Sequence, residues 1–539
     1  MAEFPWLTTL GAVPLAGSLV VAALPRGRDL LAKRLALGVA LAALGLAVVV
    51  ASRFRAGGPQ FQLVESHPWV PQFGVGYVLG VDGVGLVLIA LAAVLTPIVI
   101  LASWQEADGG RGSVKGFFAL ILALEGLTVG VFAALDVFLF YVFFEAMLVP
   151  MYFLIGRYGG PQRSYAAVKF LLYSLVGGLL MLVAVIGLYV VSARQLGVGT
   201  FDFTALTQAI RDGRLVFDPG TAKLLFLGFF VAFAIKAPLW PVHTWLPDAA
   251  AEATPGSAVL LVGVLDKVGT FGMLRYCLPL FPDASRFFTP LVITLSVVGI
   301  LYGALLAIGQ TDLKRLIAYT SVSHFGFIAL GVFAMTSQAQ AGAALYMVNH
   351  GFSTAALFLV AGFLISRRGS RLIADYGGVQ QVAPVLAGVF LVAGLSALAL
   401  PGLSSFVSEF LVLVGTFTVH RTAAVLATLG IILAAVYVLW LYQRTMTGPV
   451  KTGTEDLGDL GAREKWAVAP LVAVILALGV YPKPVLDVIN PAVAATLRQV
   501  GATDPQPTIA EAKPVVGEAK PVVGEAAGVV DTARSGGSR

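Results

Sequence analysis

The sequence predicts an all-α polytopic membrane protein of about fourteen transmembrane helices, with two inverted five-helix repeats and discontinuous helices. Three observations predict it. Of the 539 residues, 58% are hydrophobic and only 12% are charged, and the mean hydropathy is +0.90, far from the composition of a soluble globular chain. Apolar runs long enough to cross about 30 Å of hydrocarbon recur from Trp6 almost to Tyr481. Two of them are interrupted by proline-rich segments, each with an ionisable residue beside it, and non-helical backbone at that depth is tolerated only inside protein or along a wet cavity.

Residues 1–113 carry the first three helices. The opening MAEFPWLTTLGAVPLAG lacks a basic n-region and a small-residue cleavage site, so it reads as a spanning helix and not as a removable signal peptide. Residues 114–276 form the first repeat, helices 4 to 8. Between Gly116 and Gly156 the only charged side chains are Glu125, Asp136 and Glu145. Two helices have to fit there, which puts Asp136 in the turn between them and Glu145 roughly 13 Å deep at the usual helical rise. The helix ending in Lys236 is broken by KAPLWPVHTWLP, with Pro238, Pro241 and Pro247, and the next apolar helix carries Lys267. His243, Asp248 and Glu252 follow this break and fit either a cytoplasmic approach to the site or a solvated loop.

Residues 288–443 form the second, inverted repeat, helices 9 to 13, broken at LALPGLSSFVSEF beside Glu409. The simpler reading of both breaks is a pair of ordinary proline kinks. A cytoplasmic loop and the last helix occupy 444–499. From 500 to 539 the chain turns to low complexity, with EAKPVVG at 511–517 repeated at 518–524, a composition that cannot bury a core and predicts a disordered tail.

The charges report topology. A formal net charge of +6 could point to nucleic acid, but the basic residues are spread over short loops: 26–34, 157–169, 311–315, 366–371 and 444–465. The opposite loops at 281–288 and 335–342 are poor in them, although 193–222 holds Arg194, Arg211 and Arg214. With the rich loops cytoplasmic, an even number of spans puts both termini on the outer face. The single cysteine, Cys277, cannot ligate an iron–sulfur cluster alone. There is no dinucleotide fingerprint, no P-loop and no Cys/His run at metal-ligand spacing, and the histidines at 67, 243, 324, 350 and 420 are scattered. No cofactor or metal is expected in this chain, and no nucleic acid.

A charge near the bilayer centre costs about 2.5 to 3.5 kcal/mol on insertion scales, so intramembrane acids and bases face the bundle interior and mark ion or proton routes. Glu145, Lys236, Lys267, His324, His350 and Glu409 form such a series across both repeats. Lysine, unlike arginine, can release its proton once desolvated, while a nearby carboxylate holds that proton in place. A Glu145–Lys236 pair that opens and closes is therefore a switch; a static buried ion pair that fixes packing is the plainer alternative. His324 and His350 can take up and pass on protons, with Ser321, Ser323, Ser353 and Thr354 placed to hold water between side chains. Asp266 adjoins Lys267, but sequence neighbours point about 100° apart on a helix and need not pair, so it stays unassigned. Glu125 is a candidate second acid near Glu145, and Cys277 reads as packing.

The segments FFEAMLVPMYFLIGRYGG (143–160), IKAPLWPVHTWLPDAAAEATPGSAVLLVGVLDKVGTFGMLR (235–275), DLKRLIAYTSVSHFGFI (312–328), NHGFSTAALFLVAGFL (349–364) and LPGLSSFVSEFLVL (400–413) closely resemble the chain M family of NADH-quinone oxidoreductase, respiratory complex I. The resemblance covers about residues 70–450. It implies fourteen helices with two inverted five-helix repeats, and kinship with the antiporter-like subunits of sodium/proton antiporters and membrane-bound hydrogenases. It further implies that Glu145 is the fifth-helix glutamate and Lys236 its seventh-helix partner. Lys267 would be the central eighth-helix lysine, His350 the eleventh-helix histidine on the connecting route, and Glu409 the twelfth-helix acid from which the proton leaves. His324 is a less close match. Sister antiporter-like chains typically carry lysine where Glu409 stands. The implied function is a translocase subunit that pumps protons while NADH, FMN, iron–sulfur clusters and quinone are handled by partner subunits; the Ala-, Gly- and Val-rich composition and the missing transit peptide point to a bacterial inner membrane. Its implied neighbours are other membrane-arm subunits, including antiporter-like chains, and the lipid bilayer. A sodium/proton antiporter subunit and a purely structural scaffold are the rival readings.

Overall fold

A computed structural model describes residues 4–108 and 112–505. Among these, twelve helices are long and apolar enough to cross a membrane, thirteen if Ala462–Val480 and Lys483–Val500, bent by 71°, count as one span. Length and composition thus stop short of fourteen. The reason is local: the helix interrupted at Pro401 consists of two short apolar pieces, Pro384–Ala397 and Ser404–Val419.

The chain starts its helices where the sequence offers a side-chain acceptor for the free N–H groups of the first turn. Asp136 does lie in the turn between two helices, and its carboxylate accepts from Leu139 N–H at 2.9 Å to open the helix Val137–Ala146. Asp218 with Pro219 opens Pro219–Lys236, Thr254 with Pro255 opens the span Pro255–Leu280, and Asp312 opens Leu313–Phe333. The two longest helices, Arg163–Leu196 and Ser337–Arg368, both stop at a glycine in the left-handed region, Gly197 (φ +80°) and Gly369 (φ +74°).

Burial sorts the helices. The apolar windows of Pro255–Leu280, Leu313–Phe333 and Ser337–Arg368 are 100%, 94% and 94% buried, against 28% for Asp29–Arg53. Lys267, His324 and His350 therefore stand on the three innermost helices, while the N-terminal pair presents most of its surface outward.

Two elements depart from the all-helical expectation. Gln62–Val70 and Val75–Val81 form an antiparallel hairpin with His67 opposite Tyr77. Its apolar residues are too few and too short in run to stand out beside spanning helices. The hairpin is fastened at both sides: Glu65 accepts from Leu7 N–H at 2.7 Å, and Asp136 accepts from Gly76 N–H at 3.0 Å. Within the 193–222 loop, Phe203–Arg211 is a helix capped by Asp202. Residues 506–539, with the EAKPVVG repeats, lie outside the described residues.

Candidate functional site: a line of buried ionisable groups

Both proline-rich segments interrupt helices, and in each case side chains take over the backbone bonds that the break frees, as membrane-depth breaks require. At the first, Pro219–Lys236 ends on Lys236, a turn follows, and Trp245–Glu252 resumes the helix; Trp245 Nε1–H donates to the Ile235 carbonyl at 2.9 Å. At the second, Asn349 Nδ2 donates to the Ser404 carbonyl at 2.6 Å and to Ser408 Oγ at 3.2 Å. Ser353 Oγ lies 2.6 Å from Ser396 and 3.2 Å from Ser405, fastening both halves of the broken helix to the His350 helix.

Lys236 is buried, and its Nζ has no hydrogen-bond partner among the described residues; nor has Glu145 Oε1. The two form no contact ion pair here, which departs from the simplest form of the expected partnership. Lys236 Nζ lies 4.9 Å and 5.7 Å from the ring centres of Phe144 and Phe170, so the cation rests against aromatic faces. Glu145 and Asp266 are its charged neighbours. Glu145 projects onto Gly178 of the Arg163–Leu196 helix, where an added Cβ would overlap the carboxylate. The adjacent Gly177 packs near Ala232 and Ile235, on the helix that ends in Lys236.

Lys267 is held quite differently. Leu261–Leu265 is a π-turn, in which Asp266 N–H bonds Leu261 O. The Val262 carbonyl is thereby released from its usual partner four residues on. Lys267 Nζ takes that carbonyl at 2.5 Å and lies 2.6 Å from His350 Nδ1. With the lysine charged, the imidazole accepts through Nδ1.

From His350 the line continues. The His350 and His324 rings meet edge to face at 5.2 Å between centres. His324 Nε2 lies 3.5 Å from the Tyr437 hydroxyl, and its ring is 5.8 Å from that of Tyr346. Tyr346 O–H donates to Glu409 Oε2 at 2.9 Å. His324, Tyr346, His350, Glu409 and Tyr437 are all buried. Lys267, His350, His324 and Glu409 thus stand together as the series required, with two phenols at the Glu409 end that the sequence reading passed over. Their signal was present: Tyr346, Asn349, His350 and Ser353 recur at helical spacing along one face.

Other expectations fall out of line. Ser321 and Ser323 donate to the Ile317 and Ile300 carbonyls, so these hydroxyls serve helix backbone and not the histidines. Glu125 is buried, and neither of its oxygens has a hydrogen-bond partner among the described residues. Asp248 and Glu252 are not in a free loop. Asp248 takes Lys169 at 2.7 Å and Arg315 at 2.6 Å, and Glu252 takes Arg371 at 3.0 Å. These ions tie residues of the two expected repeats together around a cavity of about 250 Å³ that Gln162 and Tyr165 also line. His243 is buried against Tyr302, 5.2 Å between ring centres.

Comparison with known proteins agrees with this architecture. The profile of the NADH:quinone oxidoreductase/Mrp antiporter transmembrane family matches residues 134–434. NADH-quinone oxidoreductase subunit M of Mycobacterium tuberculosis is 56% identical over 537 residues, covering 95% of this chain and 97% of the relative. Among solved structures, a chain of respiratory complex I from Thermus thermophilus with bound NADH superposes with a TM-score of 0.82 at 32% identity, covering 92% of this chain and 100% of that one. A chain of the Mrp complex from Dietzia sp. DQ12-45-1b reaches 0.80 at 22% identity, over 93% and 100% of the two chains, a likeness of fold alone. With half of its length matched by the profile and nearly all of it by such relatives, the chain belongs to the NADH:quinone oxidoreductase/Mrp antiporter transmembrane family.

Proposed function

We propose that this chain is the subunit M of a proton-translocating NADH-quinone oxidoreductase, and that Glu145, Lys236, Lys267, His324, His350 and Glu409 carry its protons. The observation that carries the proposal is the succession of buried titratable groups from Lys267, hydrogen-bonded to His350, across ring contacts with His324 and Tyr346 to the Tyr346–Glu409 hydrogen bond. A packing role needs each buried ion satisfied by a fixed partner. Among the described residues, Lys236 Nζ and His350 Nε2 are buried without a protein hydrogen-bond partner, so neither is held by a fixed ion pair.

In this reading Lys236 is loaded while Glu145 is near and charged, releases its proton when that carboxylate is neutralised or drawn away, and the proton leaves by Glu409. Moving one charge against 100 mV costs about 2.3 kcal/mol, and this chain's own residues hold no redox chemistry to supply it. NADH oxidation, with FMN, iron–sulfur clusters and quinone, belongs to partner subunits; neighbouring antiporter-like chains of the membrane arm transmit the energy. The chain sits in a bacterial inner membrane with both termini outward. Counting Pro384–Val419 as one discontinuous span brings the total to fourteen, in two inverted repeats at 114–276 and 288–443. Glu409 favours this over the sodium/proton antiporter reading, whose chains resemble this one but typically carry lysine there.

The test replaces Lys236 with Ala, confirms assembly of the whole complex on a native gel, and measures NADH-driven acidification of inverted membrane vesicles alongside quinone reduction. We expect acidification and coupled turnover to fall by roughly tenfold or more, the scale of losing a proton-transfer group. Unchanged pumping per electron in the assembled variant would make the lysine structural.

A further inference from the structure

Asp266 is a buried carboxyl with Lys267 and Lys236 as its charged neighbours, in contact ion pair with neither, and the route above gives it no task. It is fully buried, and neither of its oxygens has a hydrogen-bond partner among the described residues. Burying a carboxylate without donors costs several kcal/mol, offset either by neighbouring positive charge or by taking up a proton, and the cations that act on Asp266 are Lys267 and Lys236.

Its direction follows from how the Pro255–Leu280 helix packs. Three residues on, an added Cβ at Gly269 would come within 2.7 Å of Ala237 Cβ, so that face of the helix lies against the end of the Lys236 helix. Residues three apart share a face, and Asp266 looks the same way, toward Lys236. The next residue points about 100° aside, and Lys267 does so, meeting His350 on the Ser337–Arg368 helix. The two neighbours therefore turn a corner between two helices. The sequence argument that they need not pair holds, and it is their divergence that matters.

We infer that Asp266 carries a proton from Lys236 to Lys267 and so joins the Glu145 side of the site to the Glu409 side. The inference rests on the proton-translocating reading above. The Lys236 ammonium gives its proton to the Asp266 carboxylate, leaving an amine and a neutral carboxylic acid. The acid then gives that proton to the Lys267 amine, which restores the carboxylate and forms a new ammonium. No electrons move and no further reactant is needed. A carboxyl without donors has no competing hydrogen bond to break at either step.

The test compares Asp266→Asn, Asp266→Glu and Asp266→Leu in the complete complex, with assembly checked on a native gel and protons counted per NADH in inverted vesicles. The relay predicts that Asn assembles and loses most NADH-driven acidification, while Glu, which keeps the acid, retains it. A packing role predicts the reverse order, with Asn tolerated and the larger Glu disruptive; that order overturns the inference. Full proton yield in assembled Asn or Leu variants overturns it as well. Should Asn fail to assemble, Leu decides, and failure of both makes Asp266 a folding residue and the inference wrong. Lys236→Ala is measured in parallel. Full pumping in Asp266→Asn with lost pumping in Lys236→Ala removes only the role of Asp266; full pumping in both removes the proton route itself.

Discussion

Lys236 and Lys267 are both buried lysines on membrane helices, yet their surroundings are opposite. Lys267 is fastened by a carbonyl that a π-turn releases and by an imidazole at 2.6 Å. Among the described residues Lys236 Nζ has no hydrogen-bond partner, and it leans on the faces of Phe144 and Phe170 with Glu145 and Asp266 as its charged neighbours. A fixed amine with one exit suits a waypoint. An unfastened one, with carboxylates on two sides, suits the element that moves. The difference arises from backbone as much as from side chains, since the π-turn supplies the acceptor that holds Lys267 and the broken helix leaves Lys236 at a helix end.

The contrast breaks most sharply under substitution by arginine, which keeps the charge but does not give up its proton. Lys236→Arg is expected to lower NADH-driven acidification by roughly tenfold or more, as far as Lys236→Ala does. An arginine variant that pumps normally would show that charge alone is needed at 236. Lys267→Arg should add a second defect, because a planar fork does not fit the paired Val262 and His350 acceptors, and a fall in assembled complex on native gels would report it.

A smaller effect sharpens the Lys236 side. Gly178→Ala places a methyl group where the Glu145 carboxylate lies, and should reduce coupled turnover several-fold, by about 1 to 2 kcal/mol of strain or displacement. Adding Glu145→Asp, which shortens the acid, should restore part of the loss if the carboxylate is the clash; no restoration would place the effect in helix packing. The smallest change sharpens the Lys267 side. Tyr346→Phe deletes the donor to Glu409 at 2.9 Å, worth about 1 to 2 kcal/mol for a hydrogen bond to an ionisable group. Turnover should fall by roughly fivefold with assembly intact, and an unchanged rate would leave Tyr346 as a packing residue.

The charged members of the line were legible because an ion in an apolar helix has no ordinary structural reason to be there. Asp136 was legible too: spacing required a turn, and a short acidic side chain caps the helix that follows it. Tyr346 and Tyr437 were not, since a tyrosine in a hydrophobic helix reads as core until its hydroxyl has a partner in space. The π-turn at 261–265 leaves no mark in the residues that form it, LVGVL, because the choice between four- and five-residue bonding is made by packing. The hairpin of 62–81 escaped for a related reason, its two strands being held by bonds to residues distant in sequence, Glu65 to Leu7 N–H and Gly76 N–H to Asp136.

The helix Arg163–Leu196 contains 34 residues, about 51 Å of length at 1.5 Å per residue. From Lys169 to Arg194, the stretch without a charge, it still extends roughly 37 Å, more than the roughly 30 Å thickness of the hydrocarbon. Such a mismatch is relieved by tilt or by local thickening of the lipid. Leu172, Leu175, Val176, Leu179 and Val183 of this helix are exposed on this chain, while Gly178 on the same helix receives the Glu145 carboxylate. Where that exposed face borders lipid, bilayer thickness is coupled to the angle at which the helix meets Glu145, and acyl-chain length becomes a mechanical input to a carboxylate that acts on Lys236.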